Sequence, residues 1–175
     1  MQIEDWKTNI LFEGLNQQHL QIIEPHIYPL SFGINEVIMN EGEEGSFLFL
    51  ISKGRVTIRK TELELAVVQP NHVVGLMALI DGNPRSATAV AGDSGAEGYG
   101  ISKNGWDQIS NHVDASITSK LLINYLKYQQ EAVRNTNELG LTEARGRIEE
   151  EKKRVMSVIE ELKEELKVIV RQLPG

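Results

Sequence analysis

Apolar positions change their spacing three times along this chain. Near the start, Leu11, Phe12, Leu15, Leu20 and Ile23 recur at about helical spacing, and Pro25 with Pro29 closes the segment, which predicts short helices. From Tyr28 to Val90 the pattern becomes short apolar or alternating runs: Val37-Ile38-Met39, Phe47 to Ile51, Val56-Thr57-Ile58 and Leu65 to Val68. Turn formers at 42–45, 52–54 and 70–71 separate them, so many short strands are expected, in an antiparallel barrel or sandwich. The glycine pair at 42–45 reads as a hairpin connection. One interruption, Gly75 to Ile80, has good helix formers and ends at Asp81-Gly82-Asn83-Pro84, which predicts a turn or two of helix among strands. Past Ser102 strand character ends, and Asp114 is placed to cap a helix carrying Ile117, Leu121, Leu122, Tyr125, Leu126 and Val133.

The tail has a different rhythm. Leu141, Ile148, Val155, Leu162 and Ile169 stand seven apart, interleaved with Arg145, Lys152, Ile159, Leu166 and Leu173. This is a heptad seam, strong from about Val155 onward. It predicts a self-pairing coiled coil and hence a homodimer, although a partner-binding helix or one folded back on its own domain would use the same stripe. Two units follow: a domain over 8–135 and a helical coiled coil over 138–173. The fold class expected is mainly β with flanking α: a jelly-roll-like antiparallel β-barrel bracketed by helices, then a long C-terminal helix. A seam running almost to Gly175 fits either a complete small dimer or an excerpt of a longer chain.

Composition narrows the chemistry. With 175 residues, 41% of them hydrophobic, the chain can bury a sizeable core. Zero cysteines exclude disulfides, thiolate metal sites and a cysteine nucleophile, and fit a cytoplasmic location. The formal net charge is −7, and neither the first 137 residues nor the tail is basic, so no DNA partner is expected. No run approaches the ~20 apolar residues of a membrane span. His19, His26, His72 and His112 are scattered, and Glu36, Glu41, Glu43 and Glu44 read as solvated turn charges. No catalytic or metal site is expected, and no cofactor.

The segment 75–87 is where binding chemistry concentrates. A short helix offers unpaired backbone N–H groups at its first turn, Gly75 allows close approach of an anion, and Arg85 can bring a fork of donors to the same oxygens. The run reads GLMALIDGNPRSA and resembles the phosphate-binding cassette of cyclic nucleotide-binding domains. The neighbouring stretches agree: Phe32 to Ile38, Glu41-Gly42, Gly45, Phe47 to Ile51, Gly54-Arg55-Val56, and Leu11 to Leu15 resembling the family's leading helix. The likeness covers about residues 8 to 135.

The resemblance implies a barrel holding a cyclic mononucleotide, cAMP or cGMP, at Gly75, Leu76, Met77, Ala78, Arg85, Ser86 and Ala87, with the base meeting the following long helix. It is similar to the sensor part of bacterial regulators like catabolite activator protein, but no helix-turn-helix segment follows. The family commonly has a glutamate after the cassette glycine, accepting from the ribose 2'-hydroxyl; here that position is Leu76. Losing such a bond, worth roughly 1.5–3 kcal/mol, would weaken a ribose ligand about ten- to a hundredfold. Leu76→Glu is therefore expected to tighten binding. Ser116, Thr118, Ser119 and Asn124 are all open as base contacts, and Tyr125 and Tyr128 are expected in a dimer seam. The function expected is a non-catalytic regulatory sensor that signals through dimerising helices, or to a protein partner. Its competitor is the same fold without ligand, serving as a homodimeric scaffold.

Overall fold

The N-terminal pattern folds as 3-10 turns at Asp5–Thr8 and Ile10–Phe12, helix α1 (Gln17–Ile23) and a further 3-10 turn at Glu24–His26. The computed structural model describes residues 5–61, 63–112, 115–133 and 138–172. Asn16 caps α1, its side chain accepting from the His19 N–H at 2.9 Å while the Asn16 N–H donates to His19 Nδ1. The 3-10 turns are not loose, because Trp6 and Phe12 are buried edge to face with ring centroids 5.3 Å apart.

Six strands follow: β1 (Ile27–Phe32), β2 (Val37–Met39), β3 (Phe47–Lys60), β4 (Leu63–Val68), β5 (Val73–Val74) and β6 (Thr88–Ser102). They form one antiparallel sheet ordered β1-β6-β3-β4, with β2 also on β6 and β5 also on β3. This antiparallel sheet with flanking helices is consistent with the jelly-roll arrangement expected. Two local expectations need correction. Ser52-Lys53-Gly54 does not separate two strands: β3 runs through it, and its register against β6 shifts between Ile51 and Lys53 and again between Gly54 and Val56. Gly54 has φ +75, and a Cβ there would lie 2.0 Å from the Gly95 carbonyl oxygen, so the bulge needs a glycine. The 42–45 turn is not a hairpin either, since β2 pairs with β6 and not with β3.

Helix α2 (Leu76–Asp81) interrupts the strands where expected, bounded by Gly75 at φ +82 and Gly82 at φ +66. After β6 the chain enters α3 (Lys103–His112), a helix the strand-to-helix pattern did not separate from the next one. Its start was signalled by Ser102, whose Oγ accepts from the Gly105 N–H at 3.0 Å. Helix α4 (Ala115–Val133) buries Ile117, Leu121 and Leu122. Its expected cap, Asp114, lies outside the described residues. Asn124 ties α4 to the N-terminal turns by donating to the carbonyls of Leu11 at 3.0 Å and Glu13 at 2.9 Å.

Helix α5 (Glu138–Gln172) packs on α4 and on β4. Val155 is completely buried and Ile159 nearly so, both within the domain's own core, and Leu162 is packed against it. Over this stretch the heptad stripe meets its own domain. Leu141, Ile169 and Leu173 have side chains outside the described residues.

Candidate functional site

Gly75 leads from β5 into α2 in a left-handed conformation that a side chain would strain. The space is also taken: a Cβ there would lie 2.6 Å from Arg85 Nη1 and 2.6 Å from Met39 Sδ. Arg85 therefore lies directly against Gly75. Arg85 is 6% exposed, and its guanidinium donates from Nη1 to the Gly75 carbonyl and from Nη2 to the Phe47 carbonyl, each at 2.5 Å. The Phe47 ring lies 5.8 Å from Arg85 Cζ, within cation–π range.

The backbone of Arg85 is held as firmly as its side chain. Its N–H donates to the Glu43 carbonyl at 2.7 Å, and its carbonyl accepts from the Gly42 N–H at 2.9 Å. Sequence reasoning gave the 42–45 loop no role, yet that loop brackets Arg85 and lies so close to α2 that a Cβ on Gly45 would sit 2.6 Å from Ala78 Cβ. The two glycines, 42 and 45, were the available signal. Burial lowers the Arg85 pKa from its ordinary value, and the nearby Glu43 carboxylate acts in the opposite direction.

Two of the five guanidinium N–H groups go to the backbone carbonyls, and among the described residues no carboxylate is ion-paired with Arg85. Asp81, four residues before Arg85, does not pair with it but with Arg154 of α5 at 3.0 Å. A buried guanidinium without a carboxylate partner is a costly arrangement in an apoprotein and a ready receptor for an anion.

Arg85 faces a cavity of about 90 Å³. Gly75, Met77, Ala78, Arg85, Ser86 and Ala87 all line it, so the structure brings together six of the seven residues expected from the sequence. Leu76 is not among the lining residues; it is fully buried in the core. Tyr125 and Tyr128 also belong to the cavity wall, where a dimer seam was expected, and both are buried. Tyr128 lies against His72 with ring centroids 4.2 Å apart. Of the open candidates on α4, Asn124 is committed to the Leu11 and Glu13 carbonyls, and Thr118 is buried without a hydrogen-bond partner among the described residues. Neither lines the cavity. The side chain of Ser116 lies outside the described residues. Among the described residues no cluster of three or more His, Asp or Glu side chains could hold a metal ion. No described helix is long and apolar enough to cross a membrane.

Residues 29–112 match the family model described as cyclic nucleotide-binding domain. The resemblance carried by the cassette is thereby shown over residues 29–112. A cAMP-dependent protein kinase regulatory subunit of Candida albicans is 31% identical over 85 residues, 49% of this chain and 18% of the relative. A cGMP-dependent protein kinase of Plasmodium berghei is 26% identical over 89 residues, 51% of this chain and 10% of the relative. The chain thus spans less than a fifth of the length of these curated relatives. Among solved structures, a putative cyclic nucleotide-binding protein from Geobacter metallireducens superposes with a TM-score of 0.67 at 19% identity, covering 76% of this chain and 98% of the other. It supports the fold.

Proposed function

We propose that the chain is a non-catalytic regulatory sensor whose cavity takes a cyclic mononucleotide, cAMP or cGMP. The observation that carries this reading is Arg85: a buried guanidinium, lining a cavity beside Gly75, moored by carbonyls and balanced by no ion pair among the described residues. The ligand phosphate takes the remaining guanidinium donors, with Ser86, Ala87 and the backbone of Met77 and Ala78 around it. Tyr125 and Tyr128 offer aromatic faces to the base. Occupancy is read out through α4 and α5, which share the cavity wall with the ligand, and pairing of two chains along these helices belongs to the same reading. The kinase regulatory subunit and the cGMP-dependent kinase among the relatives support the choice of ligand class.

Ligand at ten times its dissociation constant stabilises a folded protein by about 1.4 kcal/mol. A rise in melting temperature with millimolar cAMP or cGMP is therefore expected of the full chain. Arg85→Ala abolishes that rise, and Arg85→Lys keeps the charge but loses the planar fork and most of the shift. An equal shift in the Arg85→Ala chain overturns the reading.

A ligand-free scaffold is the second reading, favoured by Leu76 at the position where the family commonly has an acid and by a cavity of only about 90 Å³. Light scattering that reports a dimer, with no nucleotide-dependent stabilisation of any variant, decides for it.

A further inference from the structure

Five side chains of the cavity wall come from outside residues 29–112: Tyr125 and Tyr128 of α4, and Ile148, Glu151 and Arg154 of α5. The α5 contribution is fixed at several points. Arg154 Nη1 donates to Asp81 Oδ2, the last residue of α2, at 3.0 Å, and the Asp81 side chain is only 11% exposed. The Tyr125 hydroxyl donates to Glu151 Oε2 at 3.3 Å, and Glu151 is buried. One residue past Arg154, Val155 is sealed in the core, and Ile159 follows it a turn later.

With α5 so placed, the chamber beside Arg85 measures about 90 Å³. Sites for small molecules run from about 300 to 1,000 Å³. A wider cleft of about 620 Å³ lies next to it, sharing Pro84, Ser86, Glu151 and Arg154 with the chamber but reaching neither Gly75 nor Arg85. Glu151 and Arg154 thus form the α5 part of the partition between a chamber that has the anion receptor and a cleft that has the room.

We propose that α5 is an intrachain competitor of the ligand, latched by the Arg154–Asp81 pair, and that binding requires α5 to shift so that chamber and cleft merge. The proposal rests on the nucleotide reading above. The apparent dissociation constant is then the intrinsic one divided by the open fraction, so anything that loosens the latch tightens binding. This is opposite to the effect of removing a ligand contact.

The test uses the full chain and titrates cAMP and cGMP by calorimetry against the unaltered protein, Asp81→Asn, Arg154→Gln and the double variant. Asp81→Asn retains an oxygen for the Asn83 N–H, which the carboxylate now accepts at 3.0 Å. Each single variant is expected to bind about five- to tenfold more tightly, and the double variant no more tightly than either, because the two changes break one interaction. Amide hydrogen exchange over 148–162 is expected to speed up when ligand is added. Weaker binding by Arg154→Gln, or slower exchange over 148–162 with ligand, makes α5 a wall of the site and overturns the competitor. Equal affinity of all four proteins overturns it as well, and leaves the nucleotide reading standing. No binding by any of the four removes that reading and the competitor with it.

Discussion

At the level of single residues, Arg85 and Leu76 carry the chemistry in opposite ways. Arg85 was legible in the sequence because its neighbours are punctuation: Gly75, Gly82 and Pro84 fix a short helix and a turn by local backbone preference alone. What could not be read there was its holder. The carbonyl of Phe47, 38 residues away, and the backbone of the 42–43 stretch are brought to Arg85 by the folded sheet. Leu76 was expected to face ligand because it follows the glycine, yet the helix turns its side chain into the core with no exposure at all. Leu76→Glu therefore places a carboxylate among aliphatic groups. A loss of at least about 3 kcal/mol in urea unfolding is expected, with no gain in nucleotide affinity. Tighter binding at unchanged stability would show that position 76 reaches the ligand.

At the level of elements, the strands of the 28–90 region were legible from alternation, and the 52–54 error has a plain cause. Ser-Lys-Gly is a good turn sequence and an equally good bulge sequence, and the long pairing of β3 with β6 on both sides decides between them. Gly54→Ala tests the bulge: with φ +75 and a Cβ 2.0 Å from the Gly95 carbonyl oxygen, it requires the two strands to part. A loss of about 2–4 kcal/mol is expected by chemical denaturation. A change within about 0.5 kcal/mol would mean the bulge relaxes freely. The tail left its partner open for another reason. A heptad stripe states that one face of a helix is apolar, and it is silent on whether a second chain or its own domain covers that face. At Val155 and Ile159 the domain covers it.

At the level of the whole molecule, α5 and the sheet share one core, so they are expected to unfold together. Trp6 and Trp106, both buried in the N-terminal turns and α3, report on the domain alone, while far-ultraviolet ellipticity reports on all helices. Coincident transitions are expected from the two signals, and Val155→Ala is expected to move both by about 2 kcal/mol. A separate helical transition preceding the tryptophan signal would show α5 to be an independent appendage. The mooring of Arg85 has a consequence at this scale too. Its carbonyl partners come from β3 and from the junction of β5 with α2, and its backbone is paired with the 42–43 loop. A receptor assembled from such distant stretches exists only once the chain has finished folding. An anion that fits it accordingly cannot hasten collapse of the nascent polypeptide, but it holds the completed form by slowing its opening.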